Sequence, residues 1–269
     1  MVNNDKRQRH KAGHRSRVEA ARLAEAQRRR RRRLILGGIA VVAIVGVFVA
    51  VTVTSGDDGE KADSTTTSTT TSTPTVTAPP PGEAVDGETP CPPADGSATR
   101  TTAFTEPPPT CIDEAKTYTA EVATSEGDIT IDLDAANAPI AVNNFVVLAR
   151  YHYFDGVPFH RIVPGFVNQT GSSGVPDVPN GGPGYDLPDE PPTREYAAGD
   201  VAMAQGGGTN SGSQFFFTID PATLQGGTYP IIGKVSAGDD VVQAINALGG
   251  ADEAPTKSVT IDSVTITES

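Results

Sequence analysis

Two short blocks decide the fold and the chemistry of this 269-residue chain: FHRIVPGFVNQTGS at residues 159–172 and MAQGGGTNSGSQFFFT at residues 203–218. They combine a single arginine with glutamines and phenylalanines, and they contain no cysteine and no cluster of metal ligands. A cleaving enzyme needs a nucleophile activated by a neighbouring base, and no such pair is recognisable in them. The two blocks therefore suit the binding of an extended peptide and the polarisation of one bond.

Short periodic segments surround these blocks. Residues 118–122 and 129–133 alternate apolar and polar side chains, which predicts two half-buried strands. Pro139 predicts the start of a helix that reaches about Arg150, and residues 239–248 form a second amphipathic pattern. Six more short strands are predicted at residues 159–163, 166–169, 201–204, 214–218, 231–235 and 258–266. Many short strands, two helices and Gly/Pro-rich loops predict a mainly β domain, a closed antiparallel barrel capped by helices.

The two blocks strongly resemble the cyclophilin-type peptidyl-prolyl cis–trans isomerases. The frame F-H-R-I-x-P-G-F-x-x-Q begins at Phe159, and the run Gly-Ser-Gln-Phe-Phe begins at Gly212. The resemblance covers roughly residues 116–269. It implies the closed eight-stranded antiparallel barrel of that family with two capping helices, and an activity that needs neither a cofactor nor a metal.

The resemblance also implies roles for individual residues. Arg161 takes the place of the family's catalytic arginine, Gln169 that of the glutamine that orients it, and Phe166 that of the phenylalanine that floors the proline pocket. An arginine carries a permanent charge on a rigid planar fork, which suits a fixed donor. Contacts with substrate are implied for nine further residues: His160, Val167, Ala204, Gln205, Gly206, Gln214, Phe216, Leu224 and Tyr229.

The chain departs from the family pattern at several of these positions. Val167 stands where methionine is more usual, and Gln205 replaces an asparagine. Residues 224–233 differ most, because family members often carry Trp-Leu-Asp-Gly-Lys-His in this loop and this chain has no tryptophan. That indole normally bonds cyclosporin, so we expect weak binding of the drug and no loss of isomerisation.

Rotation about an Xaa–Pro bond requires no covalent chemistry. Its barrier is about 20 kcal/mol because the amide loses its resonance as it twists. A catalyst needs an apolar pocket for the ring and a donor that binds the twisted amide more strongly than the planar one. The alternative function is a chaperone or scaffold module that binds proline-containing peptides with little turnover. A hydrolase is a third interpretation, which lacks a recognisable nucleophile.

The N-terminal part of the chain differs sharply in composition. Residues 1–33 hold 13 of the 21 Lys and Arg, and residues 34–54 form an uncharged apolar run. About 20 residues span a hydrocarbon core, and the positive-inside rule places the basic tail in the cytoplasm and the domain outside. A cleaved signal peptide is the alternative. The arginine run at residues 28–33 could contact nucleic acid, but beside an apolar span it is typical of a topology signal at lipid headgroups.

Two further segments complete the organisation. Residues 55–88 are rich in Thr, Ser and Pro, which predicts a disordered stalk. Residues 89–115, here called the lead-in segment, contain the chain's two cysteines, Cys91 and Cys111, which predict a disulfide outside the cytoplasm; two free thiols are the alternative. The predicted order is a tail (1–33), a transmembrane helix (34–54), the stalk (55–88), the lead-in segment (89–115) and the isomerase domain (116–269). This arrangement resembles a membrane-anchored bacterial form of the family, of actinobacterial type, and we expect a monomer that acts on proline-containing polypeptides.

Overall fold

Residues 79–172, 182–206 and 208–269 are described by a computed structural model of the chain. The predicted cytoplasmic tail, the predicted transmembrane helix and most of the predicted stalk lie outside these residues. Within the described ranges, every helix is too short or too polar to cross a bilayer.

Eleven strands and two helices follow one another in the described part of the chain. Their bounds are β1 Glu83–Val85, β2 Thr101–Phe104, β3 Tyr118–Thr124, β4 Gly127–Leu133, α1 Pro139–Arg150, β5 Arg161–Val163, β6 Val167–Thr170, β7 Asp186–Leu187, β8 Asp200–Gly206, β9 Thr209–Thr218, β10 Ile231–Ala237, α2 Asp239–Asn246 and β11 Ile261–Glu268. The fold is mainly β with two helices, as predicted.

Nine of the strands form one curled antiparallel sheet in the order β11-β3-β4-β10-β8-β9-β6-β5, with β7 added to β9. The prediction of a closed eight-stranded barrel was therefore wrong, because the end strands β5 and β11 do not pair as strands. Backbone bonds from the residues before β5 link the two edges instead: Phe159 N donates to Val259 O and Ile261 N donates to Val157 O, each at 2.9 Å. Pro158 and Thr260 form an isolated antiparallel bridge between these two bonds, so the closure consists of a few separate backbone bonds and not of a paired strand.

Helix α1 covers the interior of the curled sheet and matches its predicted bounds. Its first residue, Pro139, already has the backbone angle that a first turn requires, and no side chain of residue 138 caps it. The Glu190 carboxylate accepts hydrogen bonds from Ile140 N at 2.9 Å and Ala141 N at 2.8 Å. An anion bound at the positive end of the helix dipole stabilises this start. Helix α2 ends two residues before its predicted end.

Successive phenylalanine side chains of β9 point alternately to the interior and to the outer face of the sheet. Phe215 and Phe217 are fully buried in the main core, where Phe215 meets the Phe145 ring edge-to-face at 5.3 Å between centroids. Phe216 belongs to a smaller apolar cluster on the other face of the sheet. Because neighbouring side chains of a strand point to opposite faces, the interior packing of two phenylalanines turns the third outward.

The lead-in segment packs against the sheet domain and belongs to the same compact unit. Cys91 and Cys111 form a disulfide, as predicted. Strand β1 pairs in parallel with β2, and it lies inside residues 55–88, so the predicted disorder of that segment was wrong at residues 83–85. In the lead-in segment, Phe104 of β2 is only 3% exposed and packs between the rings of Tyr151 and Tyr185. This packing anchors β2, and β2 in turn pairs with β1.

Candidate active site

One row of cross-strand neighbours carries the predicted site across five strands. Arg161 on β5 faces Gln169 on β6, which faces Phe216 on β9. Phe216 faces Ala202 on β8, which faces Ile231 on β10. Residues directly opposite one another in antiparallel strands share a face, so the row places arginine, glutamine and phenylalanine side by side on the outside of the sheet.

An open cavity of about 320 Å³ lies over this row. Its lining consists of nine residues: Arg161, Phe166, Val167, Gln169, Ala204, Gln205, Phe216, Leu224 and Tyr229. All nine were predicted as site residues from the sequence. Three other predicted residues, His160, Gly206 and Gln214, are not part of the lining. The structure thus brings together both blocks and the divergent loop at one groove.

Two side chains contact the guanidinium of Arg161, whose side chain is 35% exposed. Its Nη1 donates to Gln169 Oε1 at 3.3 Å, and its Nε donates to Glu253 Oε2 at 2.7 Å. Gln169 in turn donates from Nε2 to Gln214 Oε1 at 2.9 Å. Gln214 therefore acts on the groove through Gln169 and does not form its wall.

The His160 side chain forms a hydrogen bond with the Gln214 side chain, which in turn contacts Gln169. Burial and, to a smaller extent, the Arg161 charge lower the pKa of His160, and its hydrogen bond with the Gln214 side chain opposes this shift. The imidazole is consequently neutral near pH 7. A neutral, half-buried ring outside the cavity fits a structural position better than that of an acid or a base.

The apolar wall of the groove comes from the outer-face cluster. Phe216, 4% exposed, meets the Tyr229 ring edge-to-face with 5.5 Å between centroids. Tyr229 also meets Tyr196 at 6.3 Å, and the Tyr196 hydroxyl donates to Tyr229 O at 3.0 Å. Leu224 is 5% exposed in the same cluster. The divergent loop thus closes the groove with a tyrosine and a leucine.

Gln205 marks the polar end of the groove. Its Nε2 donates to Asn210 Oδ1 at 2.8 Å and to Thr228 Oγ1 at 2.9 Å. Neither partner was predicted from the sequence, although Asn210 lies in the second quoted block and faces Gln205 across β8 and β9. Thr228 joins the loop to β8 through this contact. Glu253 was also missed, because it lies 92 residues from Arg161 and carries no motif.

A groove on the outer face of a curled antiparallel sheet, with one arginine, amide side chains and aromatic walls, defines a peptide-binding protein that polarises a bond without a nucleophile. The sequence model of the family described as "Cyclophilin type peptidyl-prolyl cis-trans isomerase/CLD" matches residues 119–266. The chain therefore belongs to the cyclophilin-type peptidyl-prolyl cis–trans isomerases.

Individual relatives carry corresponding names. The chain is 39% identical over 123 residues to "Peptidyl-prolyl cis-trans isomerase-like 1" of Aspergillus niger, a match that covers 45% of this chain and 76% of that protein. It is 33% identical over 133 residues to a "Peptidyl-prolyl cis-trans isomerase" of Synechococcus elongatus, covering 49% and 90%. A crystal structure of a cyclophilin type peptidyl-prolyl cis-trans isomerase from Cryptosporidium parvum is 23% identical with a TM-score of 0.49, covering 56% of this chain and 98% of that one.

Proposed function

We propose that the isomerase activity of this chain resides in the outer-face groove, where Arg161 stabilises the twisted Xaa–Pro amide. The observation that carries the proposal is the meeting of Arg161, Gln169, Phe166 and Phe216 around one cavity of about 320 Å³. A guanidinium beside an apolar hollow supplies the two elements that the reaction needs.

The apolar residues hold the proline ring in this mechanism. Phe166, Phe216 and Leu224 line the hollow, and binding of the ring removes its apolar surface from water. Gln169 and Gln205 offer amide oxygens as acceptors to the flanking backbone, and Gln169 Nε2 has a second hydrogen besides the one donated to Gln214. These contacts hold the proline side of the Xaa–Pro bond in place. The residue on the other side of the bond can then rotate.

Arg161 acts on the bond itself. As the amide twists, its nitrogen becomes pyramidal and gains a lone pair, which a fixed donor binds more strongly than the planar amide. Removal of one such donor from an enzyme typically costs about 3–4 kcal/mol, a factor of 10² to 10³ in turnover. Gln169 and Glu253 hold two of the donors of the guanidinium, and the remaining donors have no partner among the described residues.

The test uses the soluble fragment from about residue 79 and NMR exchange of a short Ala-Pro peptide. We expect Arg161→Ala to lower catalysed exchange at least a hundredfold and to leave the circular dichroism spectrum unchanged. Lys234→Ala is the matched control, because it removes one cation from an exposed position of β10 outside the groove. Exchange by Arg161→Ala at the wild-type rate would refute the assignment of Arg161. A protein that binds the peptide without any exchange would instead support the chaperone or scaffold function.

We propose further that the chain is a monomeric, membrane-anchored protein of the actinobacterial type with its domain outside the cytoplasm, where it acts on exported or surface polypeptides. The support is the uncharged run at residues 34–54 after a basic tail, together with the disulfide of the lead-in segment. Protease added to intact cells should remove the domain and leave a membrane-bound stub. A domain that is protected in intact cells and digested only after lysis would contradict this placement.

A further inference from the structure

Arg161 has a second, closer partner that the sequence motifs do not predict. The Glu253 carboxylate accepts from Arg161 Nε at 2.7 Å, whereas the contact with Gln169 measures 3.3 Å. Hydrogen bonds between ionised groups are shorter and stronger than those with a neutral amide. Glu253 is therefore the stronger of the two contacts that orient the guanidinium.

The backbone at Glu253 is unusual. Its φ of +65° lies in the left-handed region, which glycine adopts freely and a glutamate rarely does. Glu253 is one of two non-glycine residues with positive φ within the described ranges; the other is His152. A side chain kept where glycine would be less strained points to a function for that side chain.

The loop that carries Glu253 is built directly against the strand that carries Arg161. Ile162 N donates to Glu253 O at 2.8 Å, and Glu253 N donates to Gly250 O at 3.1 Å. Gly249 lies so close to this strand that a Cβ there would come within 2.7 Å of Ile162 O. The main chain at Glu253 is thus fixed relative to β5, and this places the start of its side chain beside Arg161.

Arg161 needs such a support because of its place in the sheet. It is the first residue of β5, a three-residue strand at the end of the sheet, and β6 is its one strand neighbour in the part of the chain that the structure describes. A long side chain at such a position keeps many rotamers unless a partner fixes it. A bond at Nε fixes the plane of the guanidinium and leaves terminal donors for the groove.

We propose that Glu253 is a positioning residue for catalysis: its carboxylate holds the Arg161 guanidinium in the plane from which it meets the twisted amide. This inference rests on the proposed role of Arg161. It predicts that Glu253 acts on turnover through Arg161 and contributes little to peptide binding or to stability.

Three substitutions at this position separate orientation from folding. Glu253→Gln keeps an acceptor without charge, and Glu253→Ala removes the acceptor. Because the pair is about half exposed, we expect turnover to fall up to about fivefold in Glu253→Ala and less in Glu253→Gln, with the peptide dissociation constant unchanged. Glu253→Gly should lower turnover like Ala while its melting temperature equals or exceeds that of wild type, because glycine accepts the left-handed backbone. A residue with a merely structural role would lower both together.

Asp252→Asn is the matched control, since it removes one carboxylate from the same loop without a contact to Arg161, and we expect wild-type turnover. In an Arg161→Ala background, Glu253→Gln should cause no further loss. A second readout is the Arg161 Nε–H resonance, which should exchange faster with water in Glu253→Ala. The proposal is overturned if turnover of the Glu253 variants equals or exceeds wild type, or if it falls only in parallel with stability. If Arg161→Ala itself turned over peptide at the wild-type rate, the proposed role of Arg161 would be overturned. This measurement therefore distinguishes failure of the Arg161 assignment from failure of the Glu253 assignment.

Discussion

The disulfide between Cys91 and Cys111 should stabilise the domain without contributing to catalysis. It closes a loop of 20 residues, and the chain-entropy model gives about 3 kcal/mol for the restriction of the unfolded state. The bridged segment unfolds together with the sheet domain, because Thr101 N donates to Tyr151 O and the Tyr151 hydroxyl donates to Pro90 O, both at 2.9 Å. For a domain of this size, a loss of about 3 kcal/mol lowers the melting temperature by about 6–12 °C.

The assay compares wild type with a Cys91→Ser/Cys111→Ser variant, each with and without reductant. Reductant should lower the wild-type melting temperature to that of the variant and leave the variant unchanged. At 25 °C the variant should catalyse exchange within about twofold of wild type, because neither cysteine lines the groove. A stability loss below about 1 kcal/mol would show that the lead-in segment detaches without unfolding the sheet. A loss of catalysis in the folded variant would show that the segment shapes the groove.

Three further outcomes follow from the groove. Phe216→Ala should lower kcat/KM roughly 10- to 100-fold through the loss of about 1.5–3 kcal/mol of apolar contact with the proline ring, and a folded variant with full exchange activity would contradict the assignment of the pocket. The pKa of His160 is lowered in the folded state, so the unfolded chain binds a proton at this residue more readily. The free energy of unfolding should therefore fall as the pH drops below about 6.5. A His160→Gln variant should lack the part of this pH dependence that comes from His160. Cyclosporin should inhibit exchange weakly, and tight inhibition would show that the Leu224–Tyr229 wall replaces the missing indole.

Local patterns in the sequence were sufficient for much of the fold. The alternation at residues 118–122 is a consequence of a sheet with one face on the core, and Ala120 and Val122 are fully buried as that pattern requires. The helix beginning at Pro139 was also predicted correctly, because the proline marks the first turn and the residues after it are mostly apolar, which fits their burial on all sides of the helix. Nine of the predicted residues line one cavity, and they could be named together because they lie in two contiguous blocks and one loop.

Features that depend on distant contacts could not be predicted. The pairing of Glu253 with Arg161 joins residues 92 positions apart and leaves no periodic signal. The order of β1 depends on β2 and on the burial of Phe104, whereas the local composition of residues 55–88 favours disorder. The open edge between β5 and β11 likewise depends on contacts between residues far apart in the sequence, such as the isolated bridge of Pro158 with Thr260, which the count of short strands does not reveal.

The packing of β9 side chains in the interior of the sheet determines the geometry of the groove on its outer face. Phe215 packs edge-to-face on Phe145 and Phe154, and Phe217 stacks on Phe159 at 6.1 Å. A slip of one residue in β9 would move Phe215 and Phe217 to the outer face and Phe216 into the main core, and the loss of two large rings from that core makes the slip unfavourable. The register that protects the core is therefore the register that places Phe216 opposite Gln169. It follows that the interior phenylalanines, which do not line the cavity, position the groove through the register of β9.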